Sequence, residues 1–257
     1  MPVIEKRGLS FHVQVVGAGK PMVMLHGLII GSMTTWYFSA APRLARTHRV
    51  TLYDLRGHGR SARPASGYDL ATMVEDLDAL LDGPATLVGH SWGALIALRL
   101  ALKRPERVTR LVLVEAPLPP SRAGDIGAFL RLGPAEIREL ALNAGIEGMR
   151  FLPPAVQQLL IGNRRGTSAL LAQVAGLAGT TLVGDVLGEP DIPDEVLGRV
   201  RCPTLLVYGE RSGYRPVGDR LARALPDARL VVLRGDHWLP MEAPAALTET
   251  IAGFCDG

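Results

Sequence analysis

Short β-branched apolar runs, separated by longer helical stretches, constrain this chain more than any other feature. Residues 13–16, 22–25, 50–53, 85–88, 111–114, 205–208 and 230–233 read as strands. The later ones are continuous apolar runs such as Leu111-Val112-Leu113-Val114, as expected of strands buried on both faces of a parallel sheet. Helical patterns follow at 70–81, 94–103, 219–225 and 243–254. This alternation predicts an α/β fold: a mostly parallel, twisted sheet flanked by helices, with right-handed crossovers. It breaks once. Residues 118–200 carry no convincing strand and read as short helices at 125–131, 134–143, 154–161, 168–183 and 193–200. The expected organisation is a core of residues 1–117 and 201–257, interrupted by an all-helical insertion at 118–200.

Composition removes several classes of function. Of 257 residues, 47% are hydrophobic and 21% charged, a globular balance that excludes a disordered chain. The net charge is +3, and the arginines are scattered among acids with no run longer than a pair such as Arg164-Arg165. A nucleic-acid surface needs a stripe or a cluster. No stretch approaches the ~20 apolar residues of a membrane span. Cys202 and Cys255 cannot form a disulfide framework and have no metal-ligand neighbours, so they read as small apolar packing residues. The opening MPVIEKRGLS lacks an apolar segment with a cleavage pattern. The expectation is a cytoplasmic protein with no cofactor, no metal, and neither nucleic acid nor membrane as a partner. The oligomeric state is left open.

Gly89-His90-Ser91-Trp92-Gly93 follows the apolar run 85–88 and opens the helix from Ala94. G-x-S-x-G between a strand and a helix is the pattern of a nucleophile elbow. The turn is tight, and a Cβ at either flank would meet the neighbouring strand or helix. It lifts the Ser91 hydroxyl to a helix N-terminus, where the dipole favours an oxyanion. A serine hydroxyl needs a base, and histidine suits neutral pH. Gly235-Asp236-His237-Trp238 follows the last strand and brings His237 to the same sheet edge. Leu25-His26-Gly27-Leu28 follows residues 22–25. In the arrangement that fits Ser91, the backbone N–H groups of Leu28 and Trp92 face the oxyanion, while His26 bonds loop backbone.

These segments, with Asp54-Leu55-Arg56-Gly57-His58-Gly59-Arg60-Ser61, run in one order along nearly the whole chain. In this the sequence resembles the capped serine hydrolases of the α/β-hydrolase fold. The resemblance implies that Ser91 is the nucleophile, His237 the base, Leu28 and Trp92 the oxyanion hole, and residues 118–200 a helical cap. It makes the 54–61 turn a structural signature without chemistry. One departure matters. The family usually places its acid in a G-x-x-D pattern after the strand at 205–208, and here Gly209-Glu210-Arg211-Ser212 ends in serine. Glu115, at the end of the strand after the elbow helix, is the expected acid; Glu210, or no acid, are the alternatives. Some haloalkane dehalogenases resemble this placement, but they use an Asp nucleophile, so dehalogenation and epoxide opening are not expected at Ser91.

Residues 168–184 carry no charge. Over a site they would make an aliphatic pocket; otherwise they pack the cap on the core. The expected activity is cleavage of an ester, thioester or lactone with an aliphatic acyl part through an acyl-enzyme, the partner being that small acyl substrate. Two other readings stand beside it. One is C–C bond hydrolysis or cofactor-free perhydrolase chemistry on the same fold. The other is a ligand-binding protein without turnover, for which Ser212 in the acid's usual place is the best support.

Overall fold

The computed structural model describes residues 2–119 and 172–257. Among them one sheet of eight strands forms: β1 Val3–Lys6, β2 Leu9–Val16, β3 Lys20–Leu25, β4 His48–Tyr53, β5 Ala85–His90, β6 Val108–Val114, β7 Thr204–Gly209 and β8 Ala228–Leu233. The spatial order is β1-β2-β4-β3-β5-β6-β7-β8. Strands β3 to β8 run parallel, and β1 and β2 pair antiparallel at one edge. The helices are α1 Thr34–Tyr37, α2 Ala41–Leu44, α3 Leu70–Leu80, α4 Trp92–Lys103, α5 Leu182–Leu187, α6 Asp194–Leu197, α7 Arg215–Ala224, α8 Leu239–Glu242 and α9 Pro244–Asp256. Among the described residues no helix is long and apolar enough to cross a membrane.

Alternate side chains on the central strands feed two cores. Val23, Leu87, Leu111, Leu113, Leu206 and Tyr208 join Leu77, Leu95 and Leu98 on one face. Met24, Val88, Val112, Val114, Leu205 and Val207 join Trp36, Leu44 and Ile251 on the other. This explains the continuous apolar runs: both faces of β5, β6 and β7 are covered. The Asp69 carboxylate starts α3 by accepting from the Thr72 N–H at 2.8 Å.

Strand β1 escapes the sequence reading because all four of its residues are exposed and show no alternation. Arg7 and Gly8, at φ +52° and +75°, make the tight turn that joins it to β2. The helix expected over 168–183 ends, in its described part, at residue 178, and α5 starts at Leu182. Thr180 causes the break: its hydroxyl donates to the Leu177 carbonyl at 2.6 Å and accepts from the Leu182 N–H at 3.2 Å, offering the backbone an alternative to the helix. The helices expected at 125–131, 134–143 and 154–161, with Phe129 and Phe151, lie outside the described residues. Residues 172–200 hold no strand. They are tied to the core where the Asp185 carboxylate accepts from the Tyr68 N–H at 2.9 Å and that of Glu189 from the Leu70 N–H at 2.5 Å.

Arg56, in the turn after β4, and Asp76 of α3 are both buried. Two hydrogen bonds of 2.5 and 2.7 Å join them, and Arg7 adds a third to Asp76 at 3.0 Å. Asp76→Ala leaves the Arg56 charge buried without its partner. It should destabilise the fold by about 3–5 kcal/mol in urea unfolding; a loss under about 1 kcal/mol would show that the pair contributes no more than a surface contact.

Candidate active site

The chain leaves β3 for β4 on one side and returns to β5 on the other, so the loops after β3 and β5 diverge. A crevice opens at such a reversal, outside the carboxyl ends of the strands. The loops after β3, β5, β6, β7 and β8 carry Leu28, Ser91, Glu115, Ser212 and His237 to this one edge.

Ser91 has φ +54° and ψ −123°, a conformation non-glycine residues hold only when their surroundings over-determine it. Its N–H donates to the Val114 carbonyl at 2.9 Å, and its carbonyl accepts from the N–H groups of Ala94 and Leu95. The flanking glycines are required by space. A Cβ on Gly89 would lie 2.4 Å from the Ala94 Cα, and one on Gly93 would lie 2.5 Å from the His26 carbonyl oxygen.

His237 stands between Ser91 and Glu115. Its Nε2 is 3.1 Å from the Ser91 Oγ, and its Nδ1 is 3.2 Å from the Glu115 Oε2. The ring packs on Tyr214, centroids 4.8 Å apart, and on His90 at 5.1 Å. Its N–H donates to the Asp236 carboxylate at 2.7 Å, which turns Asp236 toward backbone. Its carbonyl accepts from the His90 Nε2–H at 2.8 Å.

Glu115 is fully buried and also left-handed, at φ +54°. Its Oε1 accepts from the Gly209 N–H at 2.5 Å. Its Oε2 accepts a hydrogen bond from the Ser212 hydroxyl. Ser212, which stands where an Asp is usual, therefore serves the Glu115 carboxylate. Glu210 is exposed and pairs with Arg211. Burial pushes the Glu115 carboxyl up to about 7, against the opposing pull of the bonds from Ser212 and Gly209. Burial pushes the His237 imidazole down to about 4, with Asp236 pulling the other way. Above pH 7 the pair is a carboxylate and a neutral imidazole. The Nδ1–H then donates to Glu115, and the Nε2 lone pair faces the Ser91 hydroxyl.

Trp92 is the first residue of α4, so its N–H has no partner within the helix. Among the described residues neither this N–H nor that of Leu28 donates elsewhere. Gly27 lets the loop approach closely, since a Cβ there would lie 3.0 Å from the Ser91 Cβ. Val174, from the helical residues 172–178, packs on Ile29 beside Leu28 and Ile30. Leu177 is buried, and it and Tyr68 fill the space a Cβ on Gly57 would need, so it packs the helical residues 172–178 on the turn after β4.

Three residues that touch this site's framework carry no local signature of it. His90 bonds the His237 carbonyl. His58 and Gln173 both bond the loop after Leu28. Their partners lie 29 to 147 positions away, and no local pattern reports such distances.

The sequence model of the Alpha/beta hydrolase family matches residues 22–250. A RutD protein of Variovorax paradoxus, provisionally named a carbamate hydrolase, is 41% identical over 96% of this chain and 96% of its own. A solved hydrolase from Pseudomonas aeruginosa is 30% identical, with a TM-score of 0.77 over 100% of this chain and 98% of that one. Est816, described as an N-acyl homoserine lactone degrading enzyme, is 27% identical, with a TM-score of 0.76 over 98% of this chain and 100% of that one.

The Ser212 hydroxyl favours the charged form of Glu115. Ser212→Ala should therefore move upward, from about 7, the pH at which the Glu115–His237 pair takes up its first proton. Imidazole NMR of His237 reads this directly, and an unmoved midpoint would separate Ser212 from the pair's ionisation.

Proposed function

The chain belongs to the alpha/beta hydrolase family, and we propose that within it the protein is a serine hydrolase acting through an acyl-enzyme. The observation that carries this reading is the unbroken hydrogen-bonded relay Ser91 Oγ–His237 Nε2 and His237 Nδ1–Glu115 Oε2. Ser91 attacks a carbonyl carbon as its proton passes to His237 Nε2. Glu115 stabilises the imidazolium, and the N–H groups of Leu28 and Trp92 receive the tetrahedral oxyanion. The leaving group takes the proton from His237. Water, activated by the same nitrogen, then releases the acyl group and restores Ser91.

In this reading residues 118–200 form a cap on a core of 1–117 and 201–257. The carbonyl belongs to an ester, thioester or lactone with an aliphatic acyl part. Support comes from the aliphatic seam that Val174 makes with Leu28, Ile29 and Ile30 on the loop after β3, and from the lactone-degrading enzyme among the structural neighbours. A second reading keeps every step and changes the substrate to a carbamate. The name of the relative at 41% identity favours it. Rates on p-nitrophenyl esters of increasing chain length, beside thioesters, lactones and carbamates, decide between them.

A fluorophosphonate should label the native protein at Ser91. Ser91→Ala should fold normally and lose labelling. Its turnover should fall to at most the ~10³–10⁴-fold acceleration over water that binding and an oxyanion hole supply. Undiminished hydrolysis in that variant would overturn the assignment.

Glu115→Gln should lower kcat by as much as ~10⁴, as loss of the acid of such a relay does. Because the Ser212 Oγ already touches the Glu115 carboxylate, Ser212→Asp in the Glu115→Gln background should recover part of the rate. A Glu115→Gln enzyme with near-native kcat would remove Glu115 from the relay.

A further inference from the structure

Ile29 follows Leu28 and has φ +71°, where a β-branched residue is an outlier. The Ile30 N–H donates back to the Leu28 carbonyl at 2.9 Å. Residues 28–30 thus form a γ-turn centred on positive φ, the rare and strained form. Such a turn persists only if its neighbours hold it, and here they hold both peptides of Ile29. On one side the Ile29 N–H donates to the His58 Nε2 at 2.9 Å. On the other the Ile29 carbonyl accepts from the Gln173 Nε2 at 2.6 Å.

Both holders are themselves fixed. The His58 Nδ1–H donates to the Arg56 carbonyl at 2.8 Å, which leaves Nε2 free to accept only. Gln173 uses its whole amide: Nε2 also reaches the Gly31 carbonyl at 3.2 Å, and Oε1 accepts from the Gly59 N–H at 2.8 Å. Gln173 therefore joins the insertion, the loop after β3 and the turn after β4 through one side chain.

We propose that Gln173 and His58 are positioning residues for the oxyanion hole: they clamp the Ile29 peptides so that the Leu28 N–H faces Ser91. The inference rests on the serine-hydrolase reading. It adds that docking of the insertion on the core is a condition for a working oxyanion hole, since half of the clamp comes from outside the core. Plain packing of the insertion against this loop falls to Val174, which is buried against Ile29, so hydrogen bonding and packing can be tested apart.

The experiment compares the native protein with Gln173→Leu, Gln173→Glu and Val174→Ala. Gln173→Glu keeps the acceptor for the Gly59 N–H but loses the donor to the two carbonyls. The readouts are kcat and KM on a p-nitrophenyl ester, Tm, and affinity for an alkyl boronic acid, whose tetrahedral serine adduct mimics the oxyanion. Both Gln173 variants should lose about ten- to a hundredfold in kcat, the scale of a small misplacement at a reacting centre. Boronate affinity should fall in parallel, with KM near native, because only the transition state uses the oxyanion hole that the clamp positions; Tm should fall as well, since the bonds to the Ile29 and Gly31 carbonyls are lost. Gln173→Glu should be at least as impaired as Gln173→Leu. Val174→Ala should change KM or Tm more than kcat. Native kcat and boronate affinity in Gln173→Glu, or losses confined to KM and Tm, overturn the inference while leaving the serine-hydrolase reading intact. A native protein that reacts with neither a fluorophosphonate nor the boronate overturns both.

Discussion

The Glu115 carboxylate has no exposed surface, yet it accepts from the Gly209 N–H, the Ser212 hydroxyl and the His237 ring. A buried charge is tolerable only with such partners. The three donors come from the end of β7, the loop after it and the loop after β8. Satisfying one carboxylate therefore fixes where three segments end. It also sets the tautomer of His237, and through it the direction of the lone pair that meets Ser91. The Tyr214 N–H donates to the same Ser212 hydroxyl at 3.1 Å, which extends the constraint to the start of α7 and to the ring packed against His237.

Four histidines near this edge share one side chain and have different tasks, and their neighbours make the difference. The His26 Nδ1–H donates to the Gly27 carbonyl and its Nε2 accepts from the Leu55 N–H. His58 bonds backbone through both nitrogens. His90 donates to the His237 carbonyl, and burial pushes its pKa down to about 3. Burial likewise lowers His26 and takes His58 down to about 3. All three are neutral structural rings. Of these four, only His237 has one nitrogen on a carboxylate and the other on a serine hydroxyl.

The elements legible in the sequence are those whose cause is local. The elbow was readable because Gly89 and Gly93 flank Ser91 between an apolar run and a helix. The strands were readable because both faces of the sheet are covered. The placing of a carboxylate at this edge was readable because Glu115 ends the strand beside the elbow while Ser212 holds the position where an Asp is usual. What stayed hidden has a cause elsewhere in the chain. Strand β1 needs the Arg7-Gly8 turn and a partner, not its own pattern. The break before α5 is set by one threonine hydroxyl. Gln173 meets Ile29 across 144 positions, and inside an uncharged helical stretch a glutamine has no signature of that role. The position of Ser212 was legible; its service to Glu115 became visible only when β6 and β7 lay side by side.

Backbone strain among the described residues is concentrated at the candidate site. Of the non-glycine residues with positive φ among those described, Ile29, Ser91 and Glu115 lie at the C-terminal edge of the sheet, and Arg7 lies in the far hairpin turn. The sheet itself holds two of the three. The Ser91 N–H, one step beyond β5, donates to the last carbonyl of β6, at Val114; the Glu115 N–H, one step beyond β6, donates to the Val207 carbonyl of β7. The next step repeats the pattern, with the Glu210 N–H donating to Leu233 at the end of β8. The parallel ladder thus runs one rung past β5, β6 and β7, and at the first two that rung anchors a residue whose own preferences oppose its conformation. Ile29 lies farther from its strand, beyond the reach of the ladder. Its support has to come from side chains, His58 and Gln173, and one of these lies in the helical residues 172–178. Rigidity at Ser91 and Glu115 is inherited from the sheet, whereas rigidity at the loop carrying Leu28 depends on contacts assembled across the fold.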